Sequence, residues 1–280
     1  LTYQYLRLSH PKLREQEGDR LSVETSLNRE DSFLQNYKKG HARNYRSGRA
    51  YIMKAPRLRA QEFGVMHGYV QIPQLKEVCR RHEMSINEYL VSLVVWSIYQ
   101  GYLHGAQASR PIRAAVPVNL RPYFDSVTTK NFFVMVSAEF WPEKENYTFE
   151  EVLQIVKDSL RSQIQKDNLE DIFSYNVSNE KNLAIRSVYT KSALANTTTV
   201  TNIGNIKVRD AYEPYIEMFH SFLAMSKGQL LKGTICSYKE TLVFTFSSVL
   251  EKPVVQKIFF RTLAAEGLDV SIESNGVYYE

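Results

Sequence analysis

The stretch from Ile112 to Phe140 constrains this chain most. Ile112-Arg113-Ala114-Ala115-Val116 is a short apolar run with β-branched residues, and Val134-Met135-Val136-Ser137-Ala138-Glu139-Phe140 is a second strand-like run. Between them lie Pro117-Val118-Asn119-Leu120-Arg121-Pro122 and Asn131-Phe132-Phe133. The pattern is strand, sharp polar loop, strand. Pro117 and Pro122 restrict their own backbone and their neighbours', so they frame the loop. Asn119, Arg121 and Asn131 then stand at the ends of buried strands. Polar groups there either line a site or tie the loop down by hydrogen bonds, and most buried polar side chains do the second.

Helix signals flank this centre. Ser85-Ile-Asn-Glu88 and Thr148-Phe-Glu-Glu151 are capping boxes. The first opens a helix through about Tyr102, with Leu90, Val94, Ile98 and Tyr102 at four-residue spacing and Gly101 and Gly105 marking its end. The second opens a helix carrying Val152, Ile155, Val156, Leu160 and Ile164. Pro73 and Pro253 start two more. Residues 28–39 read as a short helix and residues 167–196 as mostly helical. Strand patterns cover Ala50–Met53, Phe63–Ile72, Thr197–Asn202 closed by Gly204, Tyr215–Met225, Leu231–Tyr238, Thr241–Leu250 and Val270–Ser274. Alternation in Thr241–Leu250 predicts that one of its faces is the more buried. Strands and helices mix without strict βαβ order. The expected fold class is therefore α/β, a two-layer sandwich with a mixed β-sheet flanked by helices.

Charge and cysteine usage narrow the function classes. The net charge is +5, yet Lys38 to Arg59 holds eight basic residues and no acid, so the remainder is slightly acidic. Nucleic-acid binding would need a recognised module around such a patch, and none is present. The segment is either a solvated loop or an attractor of an anionic partner, such as a cofactor phosphate or an acidic carrier protein, through Arg43, Arg46 and Arg49. Two distant cysteines, Cys79 and Cys236, do not make a disulfide framework; both read as reduced core thiols of a cytoplasmic protein. No apolar run approaches the ~20 residues that span a bilayer.

No self-contained catalytic constellation stands out. G-x-S-x-G, H-E-x-x-H, C-x-x-C and G-x-G-x-x-G are all missing. The six histidines are scattered with no pair at ligand spacing, so no metal site is expected. His67 and His220, both in strand patterns, read as core or surface histidines.

The order P-V-N-L-R, N-F, then Thr201-Asn202-Ile203-Gly204 and Phe259-Phe260-Arg261-Thr262-Leu263, resembles the acyltransferase superfamily with the chloramphenicol-acetyltransferase-like and condensation-domain fold, nearest its bacterial alcohol-acetyltransferase-like branch. The resemblance covers most of the chain from about Val65 onward. It implies that residues 65–280 are the C-terminal half of a two-lobed fold, and that residues 1–64 are the tail of the N-terminal half plus a crossover. It also implies transfer of an acyl group, such as acetyl, from coenzyme A to an alcohol or related acceptor. Coenzyme A thioester would be the co-substrate, with no cofactor held covalently. Two other readings stand beside it: a ligand- or carrier-binding member without turnover, and a condensation-type domain forming amide bonds on carrier-bound substrates.

The family's catalytic base is the His of H-x-x-x-D-G. No histidine here is followed four residues later by Asp; those positions hold Arg14, Tyr45, Gln71, Ile86, Ala108 and Ala224. Leu1 to Leu8 opens mid-helix without an N-cap, so the expectation is a fragment whose catalytic His lies upstream of Leu1. By itself it would be inactive. The resemblance assigns Thr201, Asn202 and Gly204 to the channel or oxyanion site, and Asn119, Arg121 and Asn131 to the channel or to loop structure. Ser237 and Tyr238 close a further strand nearby. The expected partners are acyl-CoA, a small-molecule acceptor, the protein's own N-terminal half, and further copies of the chain through the apolar face that this half would otherwise cover.

Overall fold

The computed structural model describes residues 2–14, 30–38, 48–180 and 194–278. Their strands form a single mixed sheet. In chain order these are β1 (Gly64–Gln71), β2 (Ile112–Asn119), β3 (Phe133–Phe140), β4 (Thr198–Asn205), β5 (Leu231–Tyr238), β6 (Thr241–Ser248) and β7 (Ser271–Ser274). In space they run β3-β2-β4-β5-β6-β1-β7. The pairs β2–β4 and β4–β5 are parallel, and the other four are antiparallel.

Both capping boxes close as the sequence dictates. The Glu88 backbone N–H donates to Ser85 Oγ at 3.2 Å, and the Ser85 N–H donates to the Glu88 carboxylate at 2.7 Å. Thr148 and Glu151 repeat the exchange at 3.2 and 2.8 Å. These caps start α4 (Ile86–Ile98) and α5 (Phe149–Gln163), which follow α1 (Thr2–Ser9), α2 (Ser32–Asn36) and α3 (Ile72–Arg81). Two more, α6 (Lys166–Glu180) and α7 (Val254–Ala265), complete the described helices. At its C-terminus α4 widens into a π-type turn over Tyr99–Leu103 and stops at His104 and Gly105, both at positive φ.

One face of the sheet is dry. α4 lies against β2 and β3, α5 against β3, and α3 against β1. Val134, Val136, Ala138 and Phe140 of β3 turn toward these helices and are buried. Under α7, the rings of Phe244 and Phe246 pack on Phe259 at 4.4 and 5.0 Å between centroids. Gly68 on β1 lets Phe260 approach: a Cβ there would sit 2.0 Å from Phe260 Cε1.

The structure corrects three expectations. Ala50–Met53 is not a strand. β2 already has a neighbour on each edge, so this segment has no ladder to join; it is held instead by single bonds, Tyr51 N–H to Pro111 O and Thr197 Oγ1 to Tyr51 O. Tyr215–Met225 is not a strand for the same reason. It leaves a 3-10 turn (Asp210–Tyr215) and crosses the face of β5 and β6, both interior strands. That crossing also explains why β6 is buried on both faces and not on one. The expectations for residues 15–29, 39–47 and 181–193 fall outside the described residues.

Phe259 is fully buried between three aromatic rings. Phe259→Ala should cost about 3–5 kcal/mol of stability. Urea unfolding would show this as a lower midpoint with an unchanged slope.

Candidate functional site

β1, β2, β4 and β5 all run the same way, so their C-terminal ends lie at one end of the sheet. There β4 stays paired with β5 as far as Asn205 and Ser237, but its ladder with β2 covers only Ala114–Thr198 and Ala115–Thr199. Beyond those residues the two parallel strands part. Ligands of open α/β sheets bind at such places, outside the carboxyl ends of diverging strands.

A cleft of about 650 Å³ opens at this end, on the helix-covered face. Asn202, Gly204, Asn205 and Ser237 come from the strand ends, and Ile72, Pro73, Lys76 and Arg80 from along α3. Ile72 is fixed by its N–H, which donates to Glu240 O at the β5–β6 turn, 2.8 Å away. Lys76 and Arg80 are four residues apart and so share one face of α3. With Lys239 they set three cations against one lining carboxylate, Glu240. Arg80 pairs with Glu77 and Lys239 with Glu213, at 3.6 Å for the second, but both pairs are solvent-exposed and bind weakly. Lys76 has no ion-pair partner among the described residues. Ile86, Ile235 and Leu242 supply the apolar wall.

The residues singled out in the sequence divide among several places. Asn202 and Gly204 line the cleft. Asn202 Oδ1 accepts from the Gly204 N–H at 2.8 Å across a β-bulge, and Gly204 sits at φ +85, a backbone state that glycine adopts without strain. Thr201 pairs in register with Thr234 and faces the opposite side of the sheet, so it does not join them. Ser237 lines the cleft, whereas Tyr238 turns away and stacks edge-on with Phe219 at 5.2 Å. Arg121 is a tether. Its Nη2 donates to Thr128 O at 3.0 Å and Lys130 O at 2.6 Å, and Asn119 Oδ1 accepts from its backbone N–H and Nη1, each at 3.2 Å. Asn131 is exposed at the start of β3. Arg49 is exposed beside the N-terminal end of β2, at the end of the sheet away from the cleft; Arg43 and Arg46 lie outside the described residues.

A second polar cluster lies on the sheet face away from the helices. His67 and His220 come together with ring centroids 4.4 Å apart. His67 Nδ1 meets Thr245 Oγ1 at 2.7 Å. The Tyr69 hydroxyl donates to Glu273 at 2.5 Å and meets His220 Nε2 at 2.8 Å. Burial lowers the His67 pKa, His220 lowers it further, and Glu273 opposes both. Burial and the hydrogen bond to Glu273 raise that of Tyr69. The alternation of Val65, His67 and Tyr69 along β1 put two of these residues on one face, but nothing local to His220 marked its partner. Cys79 and Cys236 are free and buried as expected, and burial pushes the Cys79 thiol up to about 12. Among the described residues no group of His, Cys, Asp and Glu is arranged to hold a metal, and no helix is long and apolar enough to cross a membrane.

No protein-family model matches the sequence, and no curated protein matches it. Solved structures do. A nonribosomal peptide synthetase, FmoA3, in an AMPPNP-bound form superposes with a TM-score of 0.56 at 17% identity, over 86% of this chain and 25% of that one. A second FmoA3 structure gives 0.52 at 18% identity, over 79% and 23%. The EpoB cyclization-docking bidomain from Sorangium cellulosum gives 0.51 at 15% identity, over 86% and 48%. The fold is condensation-domain-like. This chain corresponds to the C-terminal half of that fold, as the sequence resemblance implied. It spans about a quarter of the FmoA3 chains and about half of the bidomain. At these identities the likeness is one of fold.

The four bonds of Arg121 give a test of its role. Lysine cannot reproduce the forked contacts to two carbonyls and an amide. Arg121→Lys should lower stability by about 1 kcal/mol, a modest loss because the group is exposed. Thermal unfolding would register it, with ligand affinity at the cleft unchanged.

Proposed function

We propose that this chain is the C-terminal half of an acyl-transfer protein, and that its cleft takes the phosphate-bearing arm of an acyl thioester, coenzyme A in the first instance. One observation carries the reading: the cation rim of Lys76, Arg80 and Lys239 stands over a part-apolar cleft where parallel strands diverge. Phosphates suit the rim. The Asn205 amide and Ser237 hydroxyl suit the polar arm, and Ile235 and Leu242 suit its methylene stretches. The two reduced, buried thiols fit a cytoplasmic setting, where coenzyme A thioesters are available.

In acyl transfer the acceptor oxygen attacks the thioester carbonyl, its proton passes to a base, and the C–S bond breaks to release a thiol that takes a proton back. None of the described histidines lines the cleft. The proposal therefore assigns the base to a histidine of an H-x-x-x-D-G segment in the N-terminal half. That half would pack where Phe133 and Met135 stand 42% and 41% exposed on the face away from the helices. The acceptor class supported by the sequence resemblance is an alcohol. Amide formation on carrier-bound substrates is the second reading, favoured by the likeness to nonribosomal peptide synthetases.

Calorimetric titration separates these. Coenzyme A should bind more tightly than pantetheine, which lacks the nucleotide phosphates. Lys76→Glu combined with Arg80→Glu should weaken coenzyme A about tenfold, or 1.4 kcal/mol, at low salt. The loss should shrink at high salt, because exposed charges are screened within about 10 Å. Equal binding of coenzyme A and pantetheine would remove the phosphate role and favour a carrier-bound substrate.

The missing base gives a second expectation. With acetyl-CoA and a panel of alcohols, the chain alone should release free thiol no faster than the uncatalysed background. Faster release would place a working base within this chain.

A further inference from the structure

We propose that residues 216–225 form an acid-released strap, clasped to the open face of the sheet by the closely tilted pair His67 and His220. The strap has unusual bonding. None of residues 217–225 makes a backbone-to-backbone hydrogen bond among the described residues. Its ends are fixed, by the Ile216 N–H to Glu213 O at 3.2 Å and by the bridge between Ser226 and Gln229. Between those anchors, side chains of the sheet hold it. Cys236 Sγ donates to Phe219 O at 3.2 Å, Lys232 Nζ to Ala224 O at 2.9 Å, and Thr234 Oγ1 to Ser221 O. Ser247 Oγ accepts from the Leu223 N–H at 3.3 Å. The covered surface combines hydroxyls, an ammonium and an imidazole with the Tyr238 ring and the Cys236 thiol under Phe219. Lifting the strap therefore exposes mainly groups that water can satisfy, with the Tyr238–Phe219 contact as its chief apolar cost, and leaves the aromatic core of the other face closed.

The imidazole pair makes that equilibrium depend on pH. Tyr69 gives its proton to Glu273, so its oxygen accepts from Nε2–H of His220. Glu273 on β7 and Glu217 on the strap face the same tyrosine. His67 is half-buried, its ring is 4.4 Å from His220, and the attraction of Glu273 is the smallest of the three influences on it. Two cations cannot sit this close cheaply. With the strap lifted, His67 is hydrated and alone, and it takes a proton readily. The lifted state thus binds more protons. The clasp is complete above the ordinary histidine pKa of about 6.5 and weakens as the pH falls through it.

Cys236 reports the strap, because its thiol is buried beneath Phe219, while Cys79 is buried on α3 and controls for global opening. The chain is reacted with dithiodipyridine, which attacks thiols in acid, and each cysteine is followed by peptide mapping, its rate divided by that of the denatured chain at the same pH. Between about pH 7.5 and 5.5 the normalised rate at Cys236 should climb, by no more than about tenfold per pH unit, the limit for uptake of one proton. Cys79 should stay protected. His67→Gln should flatten the Cys236 profile, and His220→Gln, which retains a donor for Tyr69, should do the same if the first variant misfolds. Continued protection of Cys236 at the lower pH, simultaneous exposure of both cysteines, or an undiminished acid response in a folded variant would each overturn the proposal.

Discussion

The short ladder between β2 and β4 governs this molecule. A parallel strand normally fills both of its edges along its length. Here β4 is zipped to β5 over most of its length but shares only two residue pairs with β2. The sheet stays continuous, so β2 and β3 remain part of one core, yet its C-terminal end is split. Asn202 and Gly204 reach the cleft because β4 bulges after the split. The Arg121 tether follows from the same geometry. A loop leaving β2 with a strand only on its β3 edge gains order from another source, a guanidinium bonded to two carbonyls.

The two faces of the sheet are stabilised by different physics. Under the helices, burial is apolar and continuous, with Phe246, Phe259 and Phe260 interlocked edge to face and Phe244 tilted against the first two. Each such ring removes enough surface from water to contribute about 2–3 kcal/mol. The opposite face is organised by hydrogen bonds to carbonyls of crossing segments. Arg113 exemplifies this: it pairs with Glu139 on the neighbouring strand and donates to Gly48 O at 2.7 Å. Such contacts net only about 1 kcal/mol each, because water competes for the same groups. A face held this way can be rearranged without dissolving the core.

That asymmetry also explains what the sequence could and could not reveal. Capping boxes are legible because Ser85 with Glu88, and Thr148 with Glu151, close within three residues. Strand segments such as Leu231–Tyr238 are legible because β-branched alternation is local. Whether a strand-like run joins a sheet depends on a vacant edge, which is a global property. Ala50–Met53 and Tyr215–Met225 carry strand composition, and both arrive at strands whose edges are taken. The motif Thr201-Asn202-Ile203-Gly204 shows a further limit. It reads as one functional unit, but neighbours on a strand face opposite ways, so Thr201 and Asn202 serve different faces. The imidazole pair was beyond reach, since 153 residues separate its members and the segment bearing His220 packs without a ladder.

The distribution of chemistry over this half follows from where its core is closed. The described residues bury an aromatic and aliphatic centre between the sheet and its helices. What stays open is the split end of the sheet, with its cations, and the outer face of β3, where Phe133 and Met135 are exposed. A partner half set against β3 would approach the parting of β2 and β4 from the face opposite the helices, while the cleft opens from the helix side. On the proposed acyl-transfer reading, a thioester arm entering through the cleft and a base delivered from the other lobe would then meet at the split itself. Thr201 lies on the far face of β4 and Asn202 on the cleft face, so this one strand presents polar side chains to both sides of the sheet at its split end.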